Sequence, residues 1–155
     1  HGNLRYRGKG GGEMPTGVTE LDAVPLEQVV TYDSELFGRR REPFLRGWLR
    51  QGGKAVMKAG RLAGYGVIRP CREGYKIGPL FADNPDVAEC LLRALVANIA
   101  GKDFFLDLPR PHARALALAE RYAMTPVFET ARMYTRGDPG LPLQRIYGIT
   151  SFELG

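Results

Sequence analysis

The chain has 155 residues, 44% of them hydrophobic and 25% charged, with a net charge of +5. That length supports one domain with its own core, and the composition marks a globular protein. No apolar run approaches the roughly 18 residues of a membrane span, no signal peptide is recognisable, and two cysteines are too few for a disulfide framework, so a soluble cytoplasmic protein is expected.

Residues 1–17, HGNLRYRGKGGGEMPTG, do not read as the start of a domain. Asn3 to Tyr6 has strand character, but the glycines that follow, with Pro15 and Gly17, have linker composition. Val18 to Leu21 suits a short strand. Pro25 starts a helix that runs to about Phe37, and Gly38 ends it. After the loop Arg39-Arg40-Arg41, Pro43 opens a second helix whose apolar face is Phe44, Leu45, Trp48 and Leu49. Lys54–Lys58 and Leu62–Arg69 form a hairpin around Ala59-Gly60-Arg61.

The next stretch organises the rest. Tyr75 to Phe81 is a strand interrupted by Gly78-Pro79, a pair that ends or splays strand pairing. Asn84 is a good helix N-cap, Pro85 suits the first helical position, and Asp86 faces the positive end of the helix dipole. Ala88, Leu91, Leu92, Leu95, Val96 and Ile99 then recur at helical spacing. A splayed strand feeding a helix N-terminus is where α/β proteins bind anionic ligands. Phe104–Leu108 is a buried strand stopped by Pro109 and Pro111. A helix over Ala113–Met124, a strand over Pro126–Tyr134 and a last strand over Arg145–Leu154 complete the order β-α-α-β-β-β-α-β-α-β-β.

The positive charge is uneven. Arg39, Arg40, Arg41, Arg46, Arg50 and Lys54 stand against the single acid Glu42. Nucleic-acid binding would want aromatic side chains interleaved with such cations, and only Phe44 and Trp48 come near, at spacing that suits a helix face, so a solvated basic face is the expectation. No metal site is expected from two histidines, one of them the first residue. Cys71 with His112 lacks a third group to make a nucleophile pair. His112 reads as a helix-start residue that caps or faces solvent.

The segments GYGVIRPCREGYKIGPLFAD, LPRPHARALALAERYAMTPVFETARMYT and YGITSFELG, with YDSELFGRRREPFLRGWL, resemble the carboxy-terminal domain of tandem proteins of the GNAT-type N-acetyltransferase superfamily. The resemblance covers about residues 18–155, and GNLRYRGKGGG resembles the last strand of a preceding domain with its linker. It therefore implies residues 1–17 as the end of an upstream GNAT domain and 18–155 as a GNAT-like domain. Residues 1–12 are expected outside this domain's core, with residues 3–6 disordered or paired to a different sheet edge, such as a neighbouring molecule's.

The fold so implied is α/β (α+β): a mixed, mostly antiparallel sheet flanked by helices and splayed between its fourth and fifth strands. Strand 75–81 is expected parallel to strand 104–108, then diverging. In the family, acetyl-CoA enters that opening, which here implies Ile77, Gly78, Leu80, Phe81, Asn84, Val87 and Ala88 as cofactor-binding residues. Tyr32, Asp33, Arg40 and Arg41 are implied at the acceptor cleft. Tyr122, Tyr134 and Glu129 are the candidate catalytic groups. The pattern also departs from the family. Asp83 stands at the arginine or glutamine of the pyrophosphate loop, whose glycines become Asn84, Asp86 and Ala88. His112 replaces a helical asparagine and Ala119 the usual tyrosine acid. Arg7 to Gly12 matches Arg-x-x-Gly-x-Gly, but Glu13-Met14-Pro15 cannot open the helix a phosphate loop needs. Two readings follow. One is transfer of an acetyl group from acetyl-CoA to a small-molecule or peptide amine. The other is a degenerate, non-catalytic module that binds substrate or partner for an active upstream domain. Weak binding of acetyl-CoA is expected because Asp83 and Asp86 would repel phosphate. Self-association is left open, and no membrane partner is expected.

Overall fold

A computed structural model of the chain describes residues 2–131 and 138–153. Its elements in order are β1 (Gly2–Lys9), β2 (Thr19–Glu20), α1 (Leu26–Phe37), α2 (Glu42–Trp48), β3 (Gly53–Lys58), β4 (Arg61–Cys71), β5 (Gly74–Ala82), α3 (Pro85–Val96), β6 (Asp103–Pro109), α4 (Ala113–Arg121), β7 (Thr125–Ala131) and β8 (Ile146–Gly148). Short 3-10 turns occupy Leu21–Ala23, Leu49–Gln51 and Leu143–Arg145. The strands lie in the order β2-β3-β4-β5-β6-β1-β7, and β8 sets itself against β5 off that path. Among the described residues β5 and β6 are parallel and the other pairs are antiparallel. This is the mixed, mostly antiparallel α/β sheet with flanking helices that the sequence pattern predicts.

The sequence GYG in β4 sets how the helices meet the sheet. Gly64 and Gly66 face α3, where a Cβ at either would come within 2.7 Å of Val87 or Leu95. Their lack of side chains lets the helix lie close. Alternation turns Tyr65 and Val67 to the opposite face, where they pack with Val29, Tyr32 and Leu36 of α1. Two cores result, one on each face. Leu91, Leu92 and Leu95 of α3 join Leu106, Leu108 and Leu118 in the first. Each such leucine contributes about 1.5–3 kcal/mol by leaving water. Asn84 caps α3, its side chain accepting from the Val87 amide at 3.0 Å, an arrangement worth about 1 kcal/mol.

Three expectations are corrected here. Residues 2–9 are not outside the core: β1 lies between β6 and β7, hydrogen-bonded to both, with Tyr6 buried in the first core. The alternation of Leu4, Tyr6 and Gly8 on one face gives it an inward stripe, and Phe104 packs so close to Gly8 that a Cβ there would lie 2.6 Å from its ring. The linker glycines are also tied down: the Gly10 amide donates to Lys102 at 2.8 Å and that of Gly11 to Val96 at 2.8 Å. The last strand is three residues rather than ten, because the backbone leaves β5 after Gly148. Helix α4 ends at Arg121, with Ala123 at a φ of 54° turning the chain so that Met124 still enters the core. The predicted strand 126–134 is described as far as Ala131.

Tyr6→Ala is expected to lower stability by about 3 kcal/mol in chemical denaturation, as for other large-to-small core changes. Deleting residues 2–9 is expected to abolish the cooperative transition, because β6 and β7 then lose their shared neighbour.

Candidate functional site

The site is the place where β5 and β6 part. Their parallel register runs over Tyr75–Phe104, Lys76–Phe105 and Ile77–Leu106, then stops. The next peptide, Gly78–Pro79, is cis. Beyond it the inner edges of both strands have backbone groups that need partners, since buried N–H and C=O groups are rarely left orphaned. The chain supplies them itself. Leu80 pairs with Gly148 and Phe81 with Ile146, while the Ile149 amide donates to the Asp107 carbonyl of β6 at 2.8 Å. Residues 146–151 are all buried. Contact is tight enough that a Cβ on Gly78 would lie 2.4 Å from the Thr150 carbonyl oxygen and 2.6 Å from that of Ile149.

Polar locks hold this segment at both ends. Arg41, in the loop entering α2, donates to both carboxylate oxygens of Asp33 at 2.8 Å and to the Thr150 hydroxyl at 2.9 Å. Its guanidinium also lies 3.7 Å from the Phe37 ring centroid. Asp33 and Thr150 are fully buried, and the Tyr65 hydroxyl donates to Asp33 as well. Burial, with Asp33 adding to it, pushes the Tyr65 phenol far above its ordinary pKa, so it stays a donor. Breaking such a buried pair from one side costs about 3–5 kcal/mol. At the other end Arg145 donates to Asp83 at 3.0 Å and to Glu35 at 3.1 Å, and Tyr32 donates to Asp83 at 2.9 Å. Burial, then the hydrogen bond to Asp83, raises the Tyr32 pKa. Trp48 of α2 donates to the Gly78 carbonyl at 2.9 Å, at the apex of the opening.

On the helix side, Tyr147 fills the space beside His112 at the start of α4, their ring centroids 4.5 Å apart. His112 neither caps nor meets solvent, which corrects the expectation for it. It is 6% exposed, and its Nδ1 lies 2.9 Å from the Ile146 carbonyl, so Nδ1 carries the proton and donates. Burial lowers its pKa, the bond to Ile146 partly opposes this, and Arg114 adds to the depression.

The sequence-predicted residues divide around this geometry. Ile77, Gly78, Leu80 and Phe81 line the opening, but the backbone of Leu80 and Phe81 is engaged by β8. Val87 and Ala88 lie in the first turn of α3 behind the Asn84 cap. Tyr32, Asp33 and Arg41 do converge, on the chain's own Asp83 and Thr150, and Arg40 lies outside, paired with Glu27 at 3.0 Å. The two candidate catalytic groups that the structure describes, Tyr122 and Glu129, are not brought together. Tyr122 donates to Glu89 on α3 at 2.8 Å, its pKa pushed up to about 12 by burial and that acid. Glu129 sits on the edge strand β7 and accepts from Arg110 at 2.8 Å. Tyr134 lies outside the described residues. Sequence reasoning missed Thr150, Arg145, Tyr147 and Trp48, which act through contacts with residues far away in the chain.

Acetyl-CoA does not fit this opening as built, because β8 takes the β5 backbone groups that the cofactor's amides would use. A cavity of about 320 Å³ remains at the start of α3, bordered by Lys58, Asn84 and Asp86.

The family model described as an acetyltransferase (GNAT) domain matches residues 29–148. Holothin acyltransferase of Pseudoalteromonas sp. (strain SANK 73390) is 26% identical over 147 residues, covering 92% of this chain and 50% of that protein. A crystal structure of a protein classed as an acetyltransferase from Pyrococcus horikoshii superposes with a TM-score of 0.79 at 26% identity, covering 99% of this chain and 52% of that one. A GCN5-related N-acetyltransferase from Sphaerobacter thermophilus shares the fold, with a TM-score of 0.55 at 17% identity, over 83% of this chain and 49% of its own. The chain thus spans about half the length of the relatives it matches.

Gly78→Ala is expected to push residues 149–150 out of place and cost about 1–3 kcal/mol, the usual range for overpacking. Limited proteolysis should then cut near residue 150 faster than in the unaltered chain. A pH effect follows from His112. Its pKa is depressed in the folded chain, so below the unfolded value of about 6.5 the unfolded chain takes up a proton first. Stability should therefore fall as pH drops from about 6.5 until the folded pKa is passed. Denaturation of His112→Gln at several pH values should show a flatter slope in that window.

Proposed function

Because the chain belongs to the acetyltransferase (GNAT) domain family, we propose that it is a non-catalytic GNAT-like module that binds substrate or partner for an active domain instead of holding acetyl-CoA itself. Members of the family usually bind acetyl-CoA and act on small-molecule or peptide amines. The observation that carries the proposal is the filled opening between β5 and β6, where residues 146–149 bond to both strands. The departures at Asp83, Asn84, Asp86 and Ala88 support it from the sequence side. On this reading residues 1–17 are the end of a preceding domain and its linker, which lends β1 to this sheet.

A second reading is transfer of an acetyl group from acetyl-CoA to an amine acceptor, and it is favoured in so far as the curated relative is named an acyltransferase. The cavity beside Lys58 and Asn84 is the feature that supports it. Calorimetry separates the two. Acetyl-CoA titrated into the chain is expected to bind no tighter than about 1 mM, and so to leave the melting temperature unchanged at micromolar concentrations. A micromolar dissociation constant would overturn the module proposal in favour of catalysis here.

A further inference from the structure

The sheet face opposite α3 and α4 carries a cluster of cations with no role in closing the β5–β6 opening. Arg69 of β4 and Lys76 of β5 are directly opposite one another in the antiparallel register. Like charges in that relation destabilise a sheet. Lys76 is 4% exposed, and Arg5 of β1 is opposite Asp107 of β6 on the same face. Asp107, itself fully buried, is the carboxylate that bonds two of them: Arg5 donates to its two oxygens at 2.7 and 2.9 Å, and Lys76 donates to it as well. Arg69 is left over. Its guanidinium sits 5.0 Å from the Trp48 ring centroid, and its buried Nε has no hydrogen-bond partner among the described residues.

These groups wall a cavity of about 350 Å³, where Arg5, Arg69, Arg72 and Lys76 stand against Glu73 and Glu153. We propose that this cavity is a binding site for a small organic carboxylate. Two buried or half-buried cations share one acid there, and the arginine beside them has an unused donor, so the cavity lacks negative charge at its inner end. An arginine fork suits a carboxylate geometrically. Phe105 forms part of the wall, which gives the ligand an apolar body to rest on. The volume is at the small end of ligand pockets. The chain itself places a carboxylate at the rim: Glu153, whose pKa is lowered first by hydrogen bonds to its own backbone and Ser151, and further by Lys76 and Arg5. Glu153 is exposed, and its charge at the rim competes with that of a bound anion. A carboxylate is favoured over phosphate because the wall is partly aromatic and an organic carboxylate carries an apolar body.

This inference deepens the reading of the chain as a binding module and rests on it. The test is a titration of the chain followed by amide chemical shifts, with succinate and phenylacetate as probes, inorganic phosphate as the alternative anion and benzylamine as the cationic control. Both carboxylates should shift amides of residues 71–76 and Phe105 saturably, and benzylamine should not. Arg69→Met should weaken the response about tenfold, as expected for loss of a charge-assisted pair. Glu153→Gln should strengthen it about threefold by removing the internal competitor. Arg72→Gln, at an exposed position, should weaken it about threefold and serves if Arg69→Met fails to fold. Absence of a saturable response to either carboxylate, or an unchanged response in Arg69→Met, or in Arg72→Gln where that variant stands in, would overturn the proposal. So would phosphate binding more tightly than both carboxylates. Micromolar binding of acetyl-CoA alongside an intact carboxylate response would instead defeat the module reading and leave the pocket standing.

Discussion

Everything around the site depends on one constraint: two parallel strands that separate inside a protein must have something between them to satisfy their backbone. In this chain the something is its own residues 146–151. The ladder from Leu80 and Phe81 and the bond from Ile149 to Asp107 satisfy the two edges, and the buried Arg41–Asp33–Thr150 contact fixes the segment's depth. A buried ion pair is an uncertain source of stability against an apolar alternative, but it specifies position strongly, since neither partner can be left alone. Its role here is placement. It ties the loop before α2 to the end of the chain across a gap of 109 residues.

The acids at the start of α3 acquire a different meaning once the segment is seen. Asp83, at a position where the family uses a cation or amide toward phosphate, accepts from Arg145 and Tyr32. Its charge is therefore matched from within, and repulsion of a ligand is not its only consequence. Asp83, Arg145 and Tyr32 form one clasp, and the contact becomes intelligible only when all three are considered together. Asp86 keeps the ordinary role of an acid in the first turn of a helix, next to the cap that Asn84 provides.

Much of the fold was legible in the sequence because its signals are local. Gly78-Pro79 marks the divergence of β5, and Asn84-Pro85-Asp86 marks the start of α3. The parallel pairing of β5 with β6 came with the family resemblance and is found in the structure. What was not legible depends on distant partners. The first strand looked foreign because its neighbours, β6 and β7, begin about a hundred residues later, and a glycine-rich linker hid its alternating inward stripe. Arg41 and Asp33 read as acceptor-facing groups because no local pattern shows that Thr150 returns to meet them. Tyr147 and His112 are unremarkable until the segment brings one ring against the other.

The position of β1 has a consequence for how the molecule assembles. Its Arg5 meets Asp107 at a separation of 102 residues, whereas on the other side β6 pairs with β5 across a single helix. Long-range pairings of this kind slow folding, because loop closure must precede the contacts that reward it. The β2–β5 hairpins and α3 can form from nearby sequence as synthesis proceeds. Strand β1 meets β6 only after the segments between them have been made, so its half-apolar edge waits for a distant partner. Until that pairing forms, an open strand edge of this kind can pair with the wrong neighbour.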